Sequence, residues 1–372
     1  MTSIIYVGMD VHTTNYTLCC YSMEDDRFFA EVQVEPDAKN ILKYLARIEK
    51  QQSRDCRIVC GYEAGCLGYS LYHQLHAHGI DCVILAPTTM MTKPGKRIKT
   101  DRRDARLISK CLAFHTYSPV YIPTEVDDAV KEYIRMRDDA NSALARVKQQ
   151  IIAFCIRHGK IHDGKSYWTN KHLEWLSSLD LGNKILSEVL QEYLIRYYQL
   201  REQVDMYDMR INELAQAEPY RQKVEKLGCF RGIAAHTALS FCVEVGDFRR
   251  FATAQQFASY LGLVPGECSS GDKQQYTGIT KAGNSHLRKL LVETAQVFGR
   301  SATKSGKSVA LKERQAKCDS LTVAYADKAN ARLKKKYFKI AMRSKVNIAK
   351  TAVARELACF IWGMMTDNIS CA

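Results

Sequence analysis

The 372-residue sequence contains no long apolar run and no closely paired cysteines of the kind that bind zinc. No stretch reaches the roughly 18 consecutive apolar residues of a membrane-spanning helix, and the opening MTSIIYVGMD lacks the layout of a signal peptide. The 14 cysteines are scattered, without zinc-type spacing or an accompanying histidine cluster. We therefore expect a cytoplasmic protein with reduced, buried thiols, without a membrane partner or a structural zinc site.

The first 220 residues also lack an excess of either charge. They carry 28 basic and 29 acidic residues, whereas residues 221–372 carry 26 basic and 11 acidic ones. The net charge of +14 therefore comes entirely from the chain beyond residue 220. A localised positive field favours a polyphosphate partner, because each neutralised phosphate releases counterions. Nucleic acid is the expected partner, and Lys334, Lys335 and Lys336 are expected to contact its backbone.

Short β-branched or aromatic runs alternate with helical patterns in the N-terminal third. The runs that predict strands cover residues 4–9, 16–21, 28–34, 57–62 and 81–86. Helical spacing of apolar residues covers 37–53 and 66–78, and a further helix begins near Asp101. The order β-β-β-α-β-α-β-α predicts a mixed sheet flanked by helices.

Two long helical patterns follow in residues 125–220. From Leu186 to Leu214 the apolar positions alternate at spacings of four and three, which is a heptad seam of about four repeats. An earlier helix, over roughly 127–157, carries a looser version of this seam. One interpretation is a helical hairpin packed on its own chain. The other, which we prefer, is an antiparallel coiled-coil arm for dimerisation.

These patterns divide the chain into three predicted domains. Residues 1–124 form an α/β domain, residues 125–220 a helical linker or dimerisation arm, and residues 221–372 a basic, mainly helical domain. The predicted fold class is therefore α/β plus α.

Four carboxylates occupy positions where a metal site can form. Asp10 ends the first predicted strand, Glu63 ends the fourth, and Asp101 and Asp104 begin the helix after the fifth. Capping accounts for an acidic residue at a helix N-terminus, but four carboxylates at neighbouring ends of one sheet and one helix can converge. Such a group suits one or two Mg²⁺ ions, which prefer oxygen ligands and stabilise the oxygens of a phosphoryl displacement.

The basic residues around Asp101 and Asp104 fit the same interpretation. Arg102, Arg103 and Arg106 lie on the same helix. We expect them to contact the nucleic-acid backbone on either side of the metal site.

Asp10, Glu63, Asp101 and Asp104, in this strand order, resemble the DEDD tetrad of RuvC-like nucleases, which have the RNase H fold. Longer segments narrow the resemblance to one family. These segments are YVGMDVH, GYEAGCLGYSLY, KTDRRDARLISK, EVGDFRRF, YLGLVP, CSSG and GITKAGNSHLRKLLVE. Together they resemble DEDD-type insertion-sequence transposases related to Piv invertases, the family of bridge-RNA-guided serine recombinases. The resemblance runs from about residue 3 to residue 365.

This resemblance implies a RuvC-like domain, a coiled-coil linker and a transposase domain with a nucleophilic serine directly before a glycine. Ser270 matches that position, and the adjacent Ser269 is a competitor. In the implied reaction Ser270 attacks a DNA phosphodiester and forms a phosphoserine linkage, and the tetrad holds Mg²⁺. Lys281 and Arg288, in the last of the similar segments, are expected to contact nucleic acid.

The resemblance also implies the partners. They are donor and target DNA, a structured noncoding guide RNA (the bridge RNA) and further copies of the chain. The copies would form a dimer, or a tetramer in the synapse, and build a composite active site on the prokaryotic nucleoid.

Three other functions stay open at this point. A metal-dependent nuclease or junction resolvase would use water in place of the serine. A catalytically silent nucleic-acid-binding protein is the second, although the intact tetrad argues against it. An actin-like sugar kinase is the third, but Val11 and His12 stand where its phosphate-binding glycine is expected.

Overall fold

The structure, a computed structural model, divides into two compact units, residues 1–122 and residues 123–372. The residues that it describes are 3–52, 56–65, 67–90, 100–267, 276–300 and 306–369. Among these, no helix is both long enough and apolar enough to cross a membrane. The finer division of the second unit at residue 220 stays a prediction.

The first unit is built around a five-stranded mixed sheet. Its elements are β1 (Ser3–Val11), β2 (Tyr16–Ser22), β3 (Arg27–Val34), α1 (Ala38–Gln51), β4 (Cys56–Glu63), α2 (Ser70–Ala77), β5 (Asp81–Leu85) and α3 (Asp101–Ala113). The strand order is β3-β2-β1-β4-β5. β1, β2 and β3 pair antiparallel, whereas β1, β4 and β5 run parallel. The predicted mixed sheet with flanking helices is confirmed.

The two faces of this sheet carry separate apolar cores, because successive side chains of a strand point to opposite faces. On one face Ile5, Val7 and Met9 of β1 pack with the buried side of α1 and with α2. On the other face Tyr6 of β1 packs with the buried residues of α3, which include Leu112. Residues of β1 with even numbers therefore face α3.

Helix α3 approaches the sheet closely at Gly8. A Cβ atom on Gly8 would lie 2.1 Å from the carbonyl oxygen of Ala105 and 2.4 Å from the amide nitrogen of Ser109. Gly61 of β4 pairs with Gly8 of β1, and a Cβ atom on Gly61 would lie 2.8 Å from the side chain of Leu112. Two glycines in register thus let the helix backbone lie directly on the sheet, and this fixes where α3 begins.

Replacing Gly8 with alanine should destabilise the first unit by about 3 kcal/mol, because the new methyl group meets helix backbone that cannot rotate away. Chemical unfolding measured by circular dichroism gives the free energy. Gly65→Ala is the matched control, since the nearest atom to its Cβ is 3.8 Å away, and it should change stability little. Equal stability of the two variants would contradict the close approach of α3.

In its described residues, the second unit is helical apart from one short hairpin. Its elements are α4 (Glu125–Arg157), α5 (Asn170–Ser177), α6 (Lys184–Gln216), α7 (Arg221–Gly228), α8 (Ala235–Val245), α9 (Ala254–Tyr260), β6 (Pro265–Glu267), β7 (Tyr276–Ile279), α10 (Ser285–Ala295), α11 (Val309–Gln315), α12 (Ser320–Ala341) and α13 (Val346–Met365). β6 and β7 pair antiparallel.

The long helices α4 and α6 pack against each other along the predicted heptad seam. Leu190, Tyr197 and Val204 of α6 are buried with Val147 and Ile151 of α4 in one apolar cluster. The described contacts of the seam are thus made within the chain, as the hairpin interpretation requires. A coiled-coil arm that dimerises stays a prediction.

The other ends of α4 and α6 join a larger core. Val130 and Ile134 of α4 and Ile211 of α6 are buried together with apolar residues of α8, α10, α12 and α13. One end of the hairpin therefore shares a hydrophobic core with the C-terminal helices.

Candidate metal centre and nucleic-acid contacts

Asp10 and Glu63 lie next to each other on the α3 face of the sheet. Met9 pairs with Tyr62 in the parallel ladder, so Asp10 and Glu63 are the following residues of the two strands. Glu63 also pairs with Leu85, whose side chain packs against α3. Side chains of directly paired residues point to the same face of a sheet. The strand ends thus bring both carboxylates to the edge where α3 begins.

The N-terminus of α3 supplies further carboxylates at this edge. Asp101 and Asp104 lie in its first turn, one helical turn apart. One ligand atom each of Asp10, His12 and Asp101 lies within 4.8 Å of the others. Nε2 of His12 is 3.2 Å from Oδ2 of Asp10. Oxygen and imidazole ligands at this spacing fit a divalent cation.

The electrostatics of Asp10 are those of a carboxylate in an acidic pocket. Burial raises the pKa of Asp10 most, the contact with His12 lowers it, and the charges of Asp104 and Asp101 raise it further. The net shift of this pKa is upward, because burial and the neighbouring negative charges both disfavour ionisation of Asp10. A bound cation would remove that repulsion.

Two of the four predicted ligands, Glu63 and Asp104, do not belong to the group whose ligand atoms lie within 4.8 Å. The side chain of Glu63 is exposed, and that of Asp104 is partly exposed. His12, in contrast, belongs to that group and was not predicted. The available signal was the short spacing in the sequence, since His12 lies two residues after Asp10 and just beyond the end of β1.

Arg102 and Arg106 of α3 make contacts inside the first unit. The Nε atoms of Arg102 and Arg106 lie 3.3 Å and 2.6 Å from the carboxylate oxygens of Glu31 on β3. The guanidinium of Arg106 also lies over the ring of Phe28. These contacts hold α3 against the edge of the sheet. The predicted nucleic-acid contacts of Arg102, Arg103 and Arg106 stay predictions.

Ser269 and Ser270 lie outside the described residues, in the segment between β6 and β7. Beyond β7, Lys281 adopts a positive φ of 57° and its amide donates to the carbonyl of Gly262. Nη1 of Arg288 donates to the carbonyl of Leu261 at 2.8 Å. The structure therefore gives Arg288 a role within the fold, and the nucleic-acid contacts of Lys281 and Arg288 stay predictions.

The basic run of α12 is partly engaged in ion pairs. Lys336 and Arg332 both contact the carboxylate of Glu356 on α13. Lys335 is exposed, and Lys334 is partly exposed. The predicted nucleic-acid contacts of Lys334, Lys335 and Lys336 stay predictions.

A mixed sheet with carboxylates at the end of its central strand and at the start of a packed helix is consistent with the class of metal-dependent phosphoryl-transfer enzymes. Comparison with known proteins narrows this class. Residues 7–156 match a family model of DEDD-type IS110 proteins described as "Transposase", and residues 225–314 match one described as "Transposase IS116/IS110/IS902 family".

Curated relatives agree with both matches. The putative transposase y4qE of Sinorhizobium fredii is 36% identical over 82% of this chain and 75% of its own length. The transposase for insertion sequence element IS1533 of Leptospira borgpetersenii is 32% identical over 90% of this chain and 95% of its own. The transposase for IS1111A of Coxiella burnetii is 26% identical over 68% and 71%.

The chain belongs to the IS110 family of insertion-sequence transposases, enzymes that cleave and rejoin DNA. The DEDD domain implies dependence on a divalent metal. The predictions of a transposase, of an insertion sequence and of a DNA partner are confirmed.

Proposed function

We propose that this transposase cleaves and exchanges DNA strands in an RNA-guided, Mg²⁺-dependent reaction through a phosphoserine at Ser270. The observation that carries the proposal is the acidic group at the end of β1, where Asp10 and Asp101 come within metal-ligand distance on an enzyme of this family. The serine is supported by the sequence alone, through the resemblance of the segment CSSG to the serine position of Piv-type and serine-recombinase proteins.

Asp10, Glu63, Asp101 and Asp104 would hold the metal, with His12 at the same edge. A bound Mg²⁺ supplies Lewis-acid stabilisation of phosphate oxygens. The close contact between Gly8 and α3 places the start of this helix, with Asp101 and Asp104, near the end of β1, where Asp10 lies. A bound cation would offset the burial and the neighbouring negative charges that raise the pKa of Asp10.

The proposed covalent step exchanges one phosphodiester for another. Oγ of Ser270 forms a bond to phosphorus, the P–O3′ bond breaks, and the 3′-oxygen leaves as a hydroxyl after taking up a proton. The hydroxyl proton of Ser270 passes to a base. Because the phosphoester bond is conserved in the linkage, a second 3′-hydroxyl can attack it and rejoin the strands without an external energy source.

The same proposal assigns the partners. Donor and target DNA and a structured noncoding RNA would lie on the basic surface beyond residue 220, on the nucleoid. Further copies of the chain would complete a composite site, with the serine of one protomer at the metal site of another.

Neutralising the lysine run should weaken DNA binding and its dependence on salt. For Lys334→Gln/Lys335→Gln the slope of log K against log salt should fall by roughly 0.7–0.9 per lost phosphate contact. Adding Lys336→Gln should change the slope less, because Lys336 already pairs with Glu356. Fluorescence anisotropy with labelled duplex DNA at several salt concentrations measures the slope.

Lys39→Gln/Lys43→Gln, which removes two exposed lysines of α1, is the matched control and should leave the slope unchanged. If the α12 variants also keep the wild-type slope, their lysines form a solvated face and not a nucleic-acid contact.

A metal-dependent nuclease that uses water is the second candidate function. The acidic group supports this function as well, since the same carboxylates and their metal could orient a water molecule. Reconstitution separates the two: purified protein, a supercoiled plasmid carrying the element, Mg²⁺, and RNA transcribed from the element's flanking DNA. The proposal predicts joined recombinant strands that need both RNA and metal. Cleavage to free ends without RNA would favour the nuclease.

A further inference from the structure

Four ionisable side chains meet between three helices of the second unit. Asp138 comes from α4, His236 and Glu244 from α8, and His286 from the first turn of α10. Nε2 of His286 lies 2.8 Å from Oδ2 of Asp138, and its Nδ1 contacts Oε1 of Glu244. Nε2 of His236 lies 2.9 Å from Oδ1 of Asp138. The imidazole of His286 therefore links α4 to α8 and α10.

Asn284 connects the same carboxylate to the turn before α10. Its Nδ2 donates to Oε2 of Glu244 at 2.5 Å and to the hydroxyl of Tyr260 at 3.2 Å. Its Oδ1 accepts from the amide of Leu287 and caps the helix. The neighbouring Gly283 has a φ of 98°, and a Cβ there would lie 2.1 Å from the carbonyl oxygen of Tyr260. The turn therefore fits against α9 in one conformation.

This turn forms the base of the β6–β7 hairpin. The amide of Thr280 donates to the carbonyl of Val264 at 2.9 Å, and the amide of Lys281 to the carbonyl of Gly262 at 3.1 Å. The two strands of the hairpin flank the segment that contains Ser270. Contacts that hold the base of the hairpin therefore hold the two strands to which that segment is attached.

The charge state of the cluster follows from its contacts. Burial lowers the pKa of His286, but the bonds to Asp138 and Glu244 outweigh burial and raise this pKa to about 9. Burial also opposes ionisation of Asp138, yet His236 and His286 hold the pKa of Asp138 well below its usual range. An imidazolium donates two hydrogen bonds, whereas a neutral imidazole donates one. Only the charged form of His286 satisfies both carboxylates.

Other charged groups face the cluster from the surrounding helices. Nη1 of Arg137 on α4 lies 3.2 Å from Oδ1 of Asp138, and its Nε lies 2.7 Å from Oδ1 of Asp208 on α6. The guanidinium of Arg250 lies over the ring of Tyr260, beside Asn284. In the described contacts, Asn284 and His286 both bind the carboxylate of Glu244.

We propose that His286 is a positioning residue for strand cleavage: held as an imidazolium between Asp138 and Glu244, it fixes the turn before α10 and, with it, the attachment of the serine segment. The inference rests on the proposed function, in which Ser270 is the nucleophile. It predicts a loss of cleavage rate much larger than any loss of DNA affinity, because the four side chains of the cluster are partly buried between helices.

Asp138→Asn tests this role with little change of shape. The expected result is a fall in cleavage of about 100-fold near pH 8, comparable with the cost of misplacing a reacting group by about 1 Å. Affinity for duplex DNA should stay within about twofold of wild type. His286→Gln should lose activity in the same way, and circular dichroism shows whether each variant is folded.

The pH profile distinguishes positioning from a merely structural role. With Asp138 removed, the pKa of His286 falls from about 9 toward its unperturbed value of about 6.5. The ratio of variant to wild-type cleavage rate should therefore fall as the pH rises from about 6 to 8. Histidine-selective NMR, assigned with His286→Gln, should report the lowered pKa of His286 directly.

Asp127→Asn is the matched control, since it removes another carboxylate of α4. In the wild type, Asp127 accepts a hydrogen bond from the hydroxyl of Tyr220 at 2.6 Å. Its rate ratio should not vary with pH. Wild-type cleavage by folded Asp138→Asn, or a rate ratio independent of pH while His286 titrates near 7, would overturn the positioning role. If Ser270→Ala still forms a covalent adduct, the proposed function fails separately, whatever the pH profile of Asp138→Asn.

Discussion

Asp10→Asn should abolish strand exchange while leaving the protein folded. Asp10 lies where β1, Glu63 and the start of α3 meet, and its ligand atom is within 4.8 Å of those of His12 and Asp101. Losing several kcal/mol of metal-based stabilisation corresponds to a rate decrease of about 10³-fold or more. We expect the same for Glu63→Gln, Asp101→Asn and Asp104→Asn. Excision of the element from a plasmid, scored by quantitative PCR across the junction, measures the loss.

Isothermal titration with Mn²⁺ gives a readout that does not depend on DNA, and the Asp10 and Asp101 variants should bind the metal more weakly. Glu49→Gln is the control, because Glu49 is an exposed carboxylate of α1, and α1 packs on the opposite face of the sheet. Activity that survives any two of the four single changes, with unaltered metal dependence, would contradict the assignment of the tetrad.

Ser270→Ala should stop DNA cleavage and the covalent complex together. Removing the nucleophile of a covalent mechanism lowers the rate by about four orders of magnitude or more. Ser269→Ala should spare much of both activities, although the two serines are adjacent in the chain. The assay is cleavage of end-labelled junction DNA in the presence of Mg²⁺ and the guide RNA.

Cysteine at position 270 is a softer test, because its thiolate is nucleophilic but differs in geometry and metal preference. DNA binding by Ser270→Ala should match that of wild type, which separates lost chemistry from lost folding. Wild-type cleavage by Ser270→Ala would place the nucleophile elsewhere.

The strands and the order of elements in the first unit could be predicted from the sequence, because each depends on local patterns. β-branched runs such as IIYVGM define strands, and the parallel strands require the helical crossovers that the spacing indicates. That order also predicted that Asp10, Glu63, Asp101 and Asp104 lie at one edge of the sheet, because parallel strands end at one edge. The structure brings the ligand atoms of Asp10 and Asp101 together, with His12 as the third member of the group.

The close packing at Gly8 and the contact between His286 and Asp138 could not be predicted in this way. Both depend on residues about 100 or more positions apart, and nothing in the local pattern of either partner specifies the other. The heptad seam of α6 shows a different limit. Its spacing specifies a facing helix, but it does not say whether that helix belongs to the same chain, and in the structure α4 takes this place.

The most direct test of the account is to trap the protein on its DNA. Wild-type protein is incubated with nicked, end-labelled junction DNA, Mg²⁺ and the guide RNA, and the products are separated under denaturing conditions. The account predicts a slow band that withstands denaturant, disappears on protease treatment, and yields a peptide carrying a nucleotide phosphate on Ser270 by mass spectrometry. Efficient cleavage by wild type with no trapped adduct would contradict it and identify water as the attacking group.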